Sequence, residues 1–102
     1  EVKHSYGGTP LICASSTGHL ATVKFLVEEC HANVEVKQNH LGNTPLITAS
    51  SRGHLATVKY LVEKCGANVE AKANSGETAL ALAKLARKSD VVQYLQSKRT
   101  TD

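Results

Sequence analysis

The chain contains no tryptophan, no methionine, one phenylalanine and three tyrosines, so aromatic side chains cannot dominate its interior. Any core must be aliphatic, and the many Ala and Ser residues favour helices that approach one another closely. Its three cysteines, Cys13, Cys30 and Cys65, show no C-x-x-C spacing, and their odd number argues against a disulfide framework. No apolar run approaches the ~18 residues needed to cross a bilayer, and no signal-peptide pattern occurs. Together these absences point to an intracellular chain, cytoplasmic or nuclear, in a reducing compartment. A Gly-rich phosphate loop is also missing, and no Ser, Cys or Asp lies in a recognisable nucleophile context. The expectation is therefore a non-enzymatic chain with no metal and no cofactor.

The 102 residues allow a single domain with one elongated core. The net charge of +3 is unevenly placed. Lys84, Arg87, Lys88, Lys98 and Arg99 oppose only Asp90 and Asp102 in the last segment, while acids and bases balance in the rest. An excess of this size at one end ordinarily solubilises it.

The positive feature is repetition. Residues 7–37 reappear at 42–72, offset by 35, with only seven differences over 31 positions. A period in this range marks an array of stacked units, which present extended surfaces and rarely enclose a reaction centre.

Each unit reads as two short antiparallel helices followed by an extended loop. Thr9 and Thr44 are expected N-caps with Pro10 and Pro45 at the first helical position. Gly18 and Gly53 supply the left-handed stop. Leu20, Val23, Leu26 and Val27 form one apolar stripe on the second helix, repeated by Leu55, Val58, Leu61 and Val62. The following Ala-Asn-Val-Glu segments, 32–35 and 67–70, are too short and polar for a helix.

These residues carry a family resemblance. Gly-x-Thr-Pro-Leu, Gly-His-Leu, Val-Lys-x-Leu-Val and Gly-Ala-Asn-Val, in that order, resemble the ankyrin repeat over nearly the whole chain. The resemblance implies an all-α solenoid of stacked helix-turn-helix units with extended finger loops. Three departures stand out. The units are 35 and 34 residues long, with extra residues near Cys30 and Cys65 and in the loop 38–41, whereas the family's usual period is 33. Ile12 and Ile47 replace the His that usually follows Thr-Pro-Leu. The third unit has Ala79 for Pro and Arg87 for the terminating Gly.

The expected organisation is one domain, 1–102, comprising a loop remnant (1–6), two repeats (7–41 and 42–75) and a carboxy-terminal capping repeat (76–102). In the last unit Thr78 should cap a helix reaching Arg87. Ser89 should cap the final helix, whose inner face carries Val91, Val92, Tyr94 and Leu95 while Gln96 and Ser97 turn its outer side polar. The amino end begins within a loop, as though an earlier repeat preceded it. The apolar side of Leu11, Ile12, Val23 and Leu26 should then be open, and self-association could occur there.

His19 and His54 follow Gly in equivalent turns and are read as structural. Cys30 and Cys65, also equivalent, are expected to be buried small apolar residues. His31 beside Cys30 lacks further ligands for zinc. The resemblance implies a protein partner on the concave surface of finger tips and first helices. Transferred by position, it gives Ser5, Tyr6 and Gly8; His40, Leu41 and Asn43; and Asn74, Ser75 and Glu77 from the fingers. The first helices add Ser16, Thr17, Ser51, Arg52, Leu85 and Ala86. Tyr6, Leu41 and Arg52 are the anchor candidates. The alternatives are an end-cap segment of a longer array, or a nucleic-acid contact through the basic last repeat. The second is disfavoured because only Tyr94 interleaves with its cations.

Overall fold

The computed structural model describes residues 10–37 and 42–98. Six helices follow in order within them: α1 (Pro10–Thr17), α2 (Leu20–Glu28), α3 (Pro45–Arg52), α4 (Leu55–Glu63), α5 (Ala79–Leu85) and α6 (Ser89–Ser97). The described residues contain no strand, only an isolated antiparallel bridge between Lys72 and Thr78. The all-α solenoid expected from the repeat is the observed fold.

Local chemistry sets the boundaries of the first helices. The Thr44 hydroxyl accepts the Ile47 N–H at 3.2 Å, and Pro45 occupies the first position, where its missing N–H removes no bond. Gly53 ends α3 with φ of 80° and donates its N–H to the carbonyls of Ala49 and Ser50. Gly18 repeats this after α1 with φ of 77°, while its expected cap, Thr9, lies outside the described residues. Thr78 caps α5 through the Ala81 N–H at 3.2 Å without any proline. The helix ends at Leu85 rather than Arg87. Arg87 takes φ of 60°, so it keeps the turn that glycine makes in the other repeats. Holding a side chain in that region costs roughly 1 kcal/mol.

The second helices start without side-chain caps, at His19, His54 and Lys88. Ser89 is thus the first helical residue of α6 and not its cap. Asp90 takes over part of that role, its Oδ1 accepting the Val91 N–H at 2.8 Å.

Helices α1, α3 and α5 stack side by side, and α2, α4 and α6 form a second layer, each packed on its own first helix. Buried Ala14, Ala49, Ala83, Ser15 and Ser50 let the first helices approach closely. The second helices carry larger side chains and meet at fewer points. The stack measures 39 × 26 × 21 Å along its principal axes. The core between the layers is aliphatic, with Leu11, Leu46, Ile47, Leu61, Leu95, Val23, Val58 and Val91 fully enclosed.

Two expectations about burial fail. Leu11, Ile12 and Val23 are buried, Leu11 and Val23 within the main core cluster, and of the four expected open residues only Leu26 is partly exposed. Phe25, at 57%, is the exposed large side chain of α2 instead. Cys30 is exposed and Cys65 half-buried, since both fall in the turn after a second helix rather than on its apolar stripe.

Candidate functional site

Three structural devices recur along the stack. The first joins the second helices. Tyr60 donates its hydroxyl to Glu28 Oε2 of the preceding repeat at 2.7 Å, and Lys24 Nζ lies 5.7 Å from the centre of the Tyr60 ring. One repeat on, Tyr94 donates to Glu63 Oε2 at 2.7 Å, with Lys59 Nζ at 5.8 Å from its ring. Lys98 Nζ approaches the same ring at 5.6 Å. A Lys and a Glu four positions apart on one second helix therefore clasp the next repeat's tyrosine.

The electrostatics follow from this packing. Burial, reinforced by the Glu28 carboxylate, raises the Tyr60 hydroxyl above its ordinary pKa. Tyr94 is raised in the same way by burial and Glu63. The Tyr94 hydrogen bond, aided by Lys98 and Lys59, holds Glu63 below the usual carboxylate range. Burial also pushes the Cys65 thiol up, which is the reverse of what a reactive thiolate requires.

The second device joins the turns. The His54 ring lies over Gly18, where a β-carbon would collide with it, and its Nε2 donates to the Ser16 carbonyl at 2.9 Å. His19 Nδ1 meets the Thr17 hydroxyl at 2.9 Å. These contacts give both histidines the structural role expected of them. In the third repeat Lys88 replaces the histidine and lays its aliphatic stem across Gly53.

The third device links the loops. Asn33 Oδ1 and Asn68 Oδ1 accept the N–H groups of Glu35 and Glu70, and Glu35 Oε2 accepts the Asn68 N–H at 2.8 Å. The third finger closes as a small hairpin through Ala73 N–H to the Glu77 carbonyl at 2.9 Å.

On this frame Ser16, Thr17, Ser51, Arg52, Leu85 and Ala86 fall on corresponding positions of three stacked helices or, for Ala86, of the turn just after. Several are already occupied internally. The Thr17 hydroxyl donates to the Cys13 carbonyl at 3.1 Å, the Ser51 hydroxyl to the Thr48 carbonyl at 3.1 Å, and the Ser75 hydroxyl to Glu77 Oε1 at 3.0 Å. Asn74 lies against Gly42 and bridges neighbouring fingers, and Asn43 is half-buried. Arg52 and Leu85 are exposed, Leu85 at 69%. Ser5, Tyr6, Gly8, His40 and Leu41 lie outside the described residues.

Two outward-facing features differ between the ends. On the amino side, a groove of about 480 Å³ runs between Pro10, Leu26, Cys30 and Val36. It shares α2 with exposed Phe25, whose counterpart Tyr60 is buried. On the carboxyl side, exposed Lys84 occupies the position at which Ser15 and Ser50 are fully buried.

A family description of ankyrin repeats (3 copies) matches residues 30–102, and one of the single ankyrin repeat matches residues 6–39. The chain belongs to the ankyrin-repeat family. It is similar to a chain in the solved complex of the Bd0816 predatory endopeptidase from Bdellovibrio bacteriovorus with immunity protein Bd3460. The two are 36% identical, with a TM-score of 0.83 over 93% of this chain. This chain spans 48% of that one, about half its length. No curated protein matches.

Proposed function

We propose that the chain is a non-enzymatic protein-binding module that holds its partner on the face of first helices and finger loops. Ankyrin repeats are generally protein–protein interaction modules, and the similar solved chain comes from a complex of two proteins. The observation that carries the choice of face is the contrast between layers. The tyrosines of the second layer and the carboxylates and lysines beside them are spent on joining repeats, whereas Arg52 and Leu85 on the first-helix side are exposed. The reading also puts the chain inside the cell, in the cytoplasm or nucleus, in keeping with an odd number of cysteines that lack C-x-x-C spacing.

A second reading, a segment that ends a longer array, is favoured by Lys84. A following repeat would have to bury its ammonium where Ser15 and Ser50 are enclosed, and an unpaired buried charge is prohibitive.

The test is affinity capture from native lysate with three baits. These are the natural chain, an Arg52→Glu/Leu85→Asp variant, and a Thr22→Glu/Glu29→Lys variant altered on the second layer. A partner lost only with the first variant supports the reading. A partner retained by it, or lost only with the second, overturns the choice of face.

A further inference from the structure

We propose that the first-helix face over α3 and α5 binds an acidic stretch of a partner protein containing one bulky apolar side chain. The apolar group would seat on Leu82 and Leu85, and the flanking carboxylates would meet Arg52, Arg87 and Lys88. The inference rests on the protein-binding reading above and adds the partner's chemistry.

Charge distribution carries the argument. The first helices with their following turns, residues 10–19, 45–54 and 79–88, contain no aspartate or glutamate. Their ionised groups are Arg52, Lys84, Arg87 and Lys88. The described acids sit off these segments: Glu28 and Glu63 on the second helices, Glu29 in the turn after α2, Glu35 and Glu70 in loops, Glu77 in the third finger, and Asp90 in the first turn of α6. Within that distribution the cations are gathered. The Lys88 stem crosses Gly53, the residue after Arg52, which brings two basic side chains to one end of α3. Arg87 precedes Lys88 in the same left-handed turn and is exposed. A surface of one sign attracts its opposite and sets both association rate and register.

The apolar element is equally localised. Along the stack, Cys13 and Thr48 precede Leu82, and Ser16 and Ser51 precede Leu85. Large aliphatic groups therefore appear only beside the cations. Leu85 is 69% exposed, and Leu82 is half-buried beneath it on α5. An apolar spot rimmed by charge is the arrangement in which a desolvated anchor is surrounded by steering contacts. A nucleic acid fits less well. Unpaired bases seek exposed aromatic faces between the cations, and the described tyrosines are held by glutamate and lysine on the second layer.

The experiment selects a displayed library of random short peptides on the intact chain, with a labelled DNA duplex as second probe. Selected peptides should be rich in Asp and Glu around a Leu, Ile or Phe. Their binding should weaken about tenfold or more with Arg52→Glu and with Leu85→Ser, and remain unchanged with Glu29→Ala. Changing one peptide carboxylate to lysine should restore binding to the Arg52→Glu chain. Circular dichroism of each variant checks folding, with Arg52→Gln as a milder substitute. Peptides that depend on Arg52 and Leu85 but show no acidic enrichment overturn this inference and leave the protein-binding reading standing. Peptides indifferent to both variants overturn the two together. Recovery of no peptide by the folded chain, or duplex binding lost with Arg52→Glu, also overturns it.

Discussion

The tyrosine–glutamate clasp gives the sharpest handle on what holds the repeats together. In Tyr60→Phe the ring, its burial and its contact with Lys24 remain, and only the hydroxyl that reaches Glu28 at 2.7 Å is lost. The change is sterically tolerable, because Phe25 occupies the equivalent position in the first repeat. A hydrogen bond to a charged acceptor contributes about 1.5–3 kcal/mol when well shielded. Here the carboxylate is solvent-accessible, so the loss should fall below that range, at ~1 kcal/mol. For a domain of this size that corresponds to a fall in melting temperature of ~4–8 °C. Tyr94→Phe should cost less, because Tyr94 is more exposed than Tyr60. The assay is urea unfolding of Tyr60→Phe, Glu28→Gln and the double variant, analysed as a thermodynamic cycle. A coupling energy near zero, or a Tyr94→Phe loss larger than that of Tyr60→Phe, would refute the claim that this bond joins the first two repeats.

Other expectations follow from the same packing. Thr57 is fully buried with an unpartnered hydroxyl, and Val91 occupies its position in the last repeat. Thr57→Val should therefore raise the unfolding midpoint, by ~1 kcal/mol equivalent, and a loss would contradict it. Gly18→Ala should destabilise by about 1–3 kcal/mol in the same assay, because φ is 77° and the new β-carbon meets the His54 ring. Stability should also depend on pH at both extremes. Tyr60 and Tyr94 are raised in the folded state, so their contribution is complete below the ordinary tyrosine value of about 10 and declines as pH rises beyond it. Glu63 is lowered, so its contribution is present above the ordinary carboxylate value near 4.3 and is lost as pH falls through the folded value. Denaturant midpoints across pH should show Tyr60→Phe flattening the alkaline limb and Glu63→Gln the acid limb.

Much of this architecture is legible in sequence because the code for it is local. Thr-Pro at a helix start and Gly at its end act within a few residues, so α1 and α3 lie where the spacing predicts. The errors arise where a neighbouring repeat decides the outcome. Cys30 and Cys65 are periodic, yet their place in a turn leaves them accessible. Leu11 and Ile12 were expected at an open end, but both are buried. The clasp was present in the sequence as Lys-Phe-Leu-Val-Glu and Lys-Tyr-Leu-Val-Glu at equivalent positions. Its meaning depends on a tyrosine and a glutamate 32 and 31 residues apart, and no helical period reports that pairing. Among the proposed partner residues, exposure and prior engagement separate Arg52 and Leu85 from Thr17, Ser51 and Ser75, a distinction that needs coordinates.

The two layers use the same kinds of side chain for opposite ends. On the second helices, Lys24 and Glu28, or Lys59 and Glu63, sit one turn apart, and both converge on a single tyrosine. Their charges are spent within the fold. On the first-helix side, the helices and their turns carry Arg52, Lys84, Arg87 and Lys88 and no acid of their own, and Lys88 covers Gly53 with its stem. A partner attracted to that side therefore need not compete with the clasp for any group. Substitutions on the two layers should combine additively in stability, and binding should respond only to one of them. If instead Tyr60→Phe weakened partner binding as much as Arg52→Glu, the packing between repeats, and not the charges of the first helices, would govern recognition.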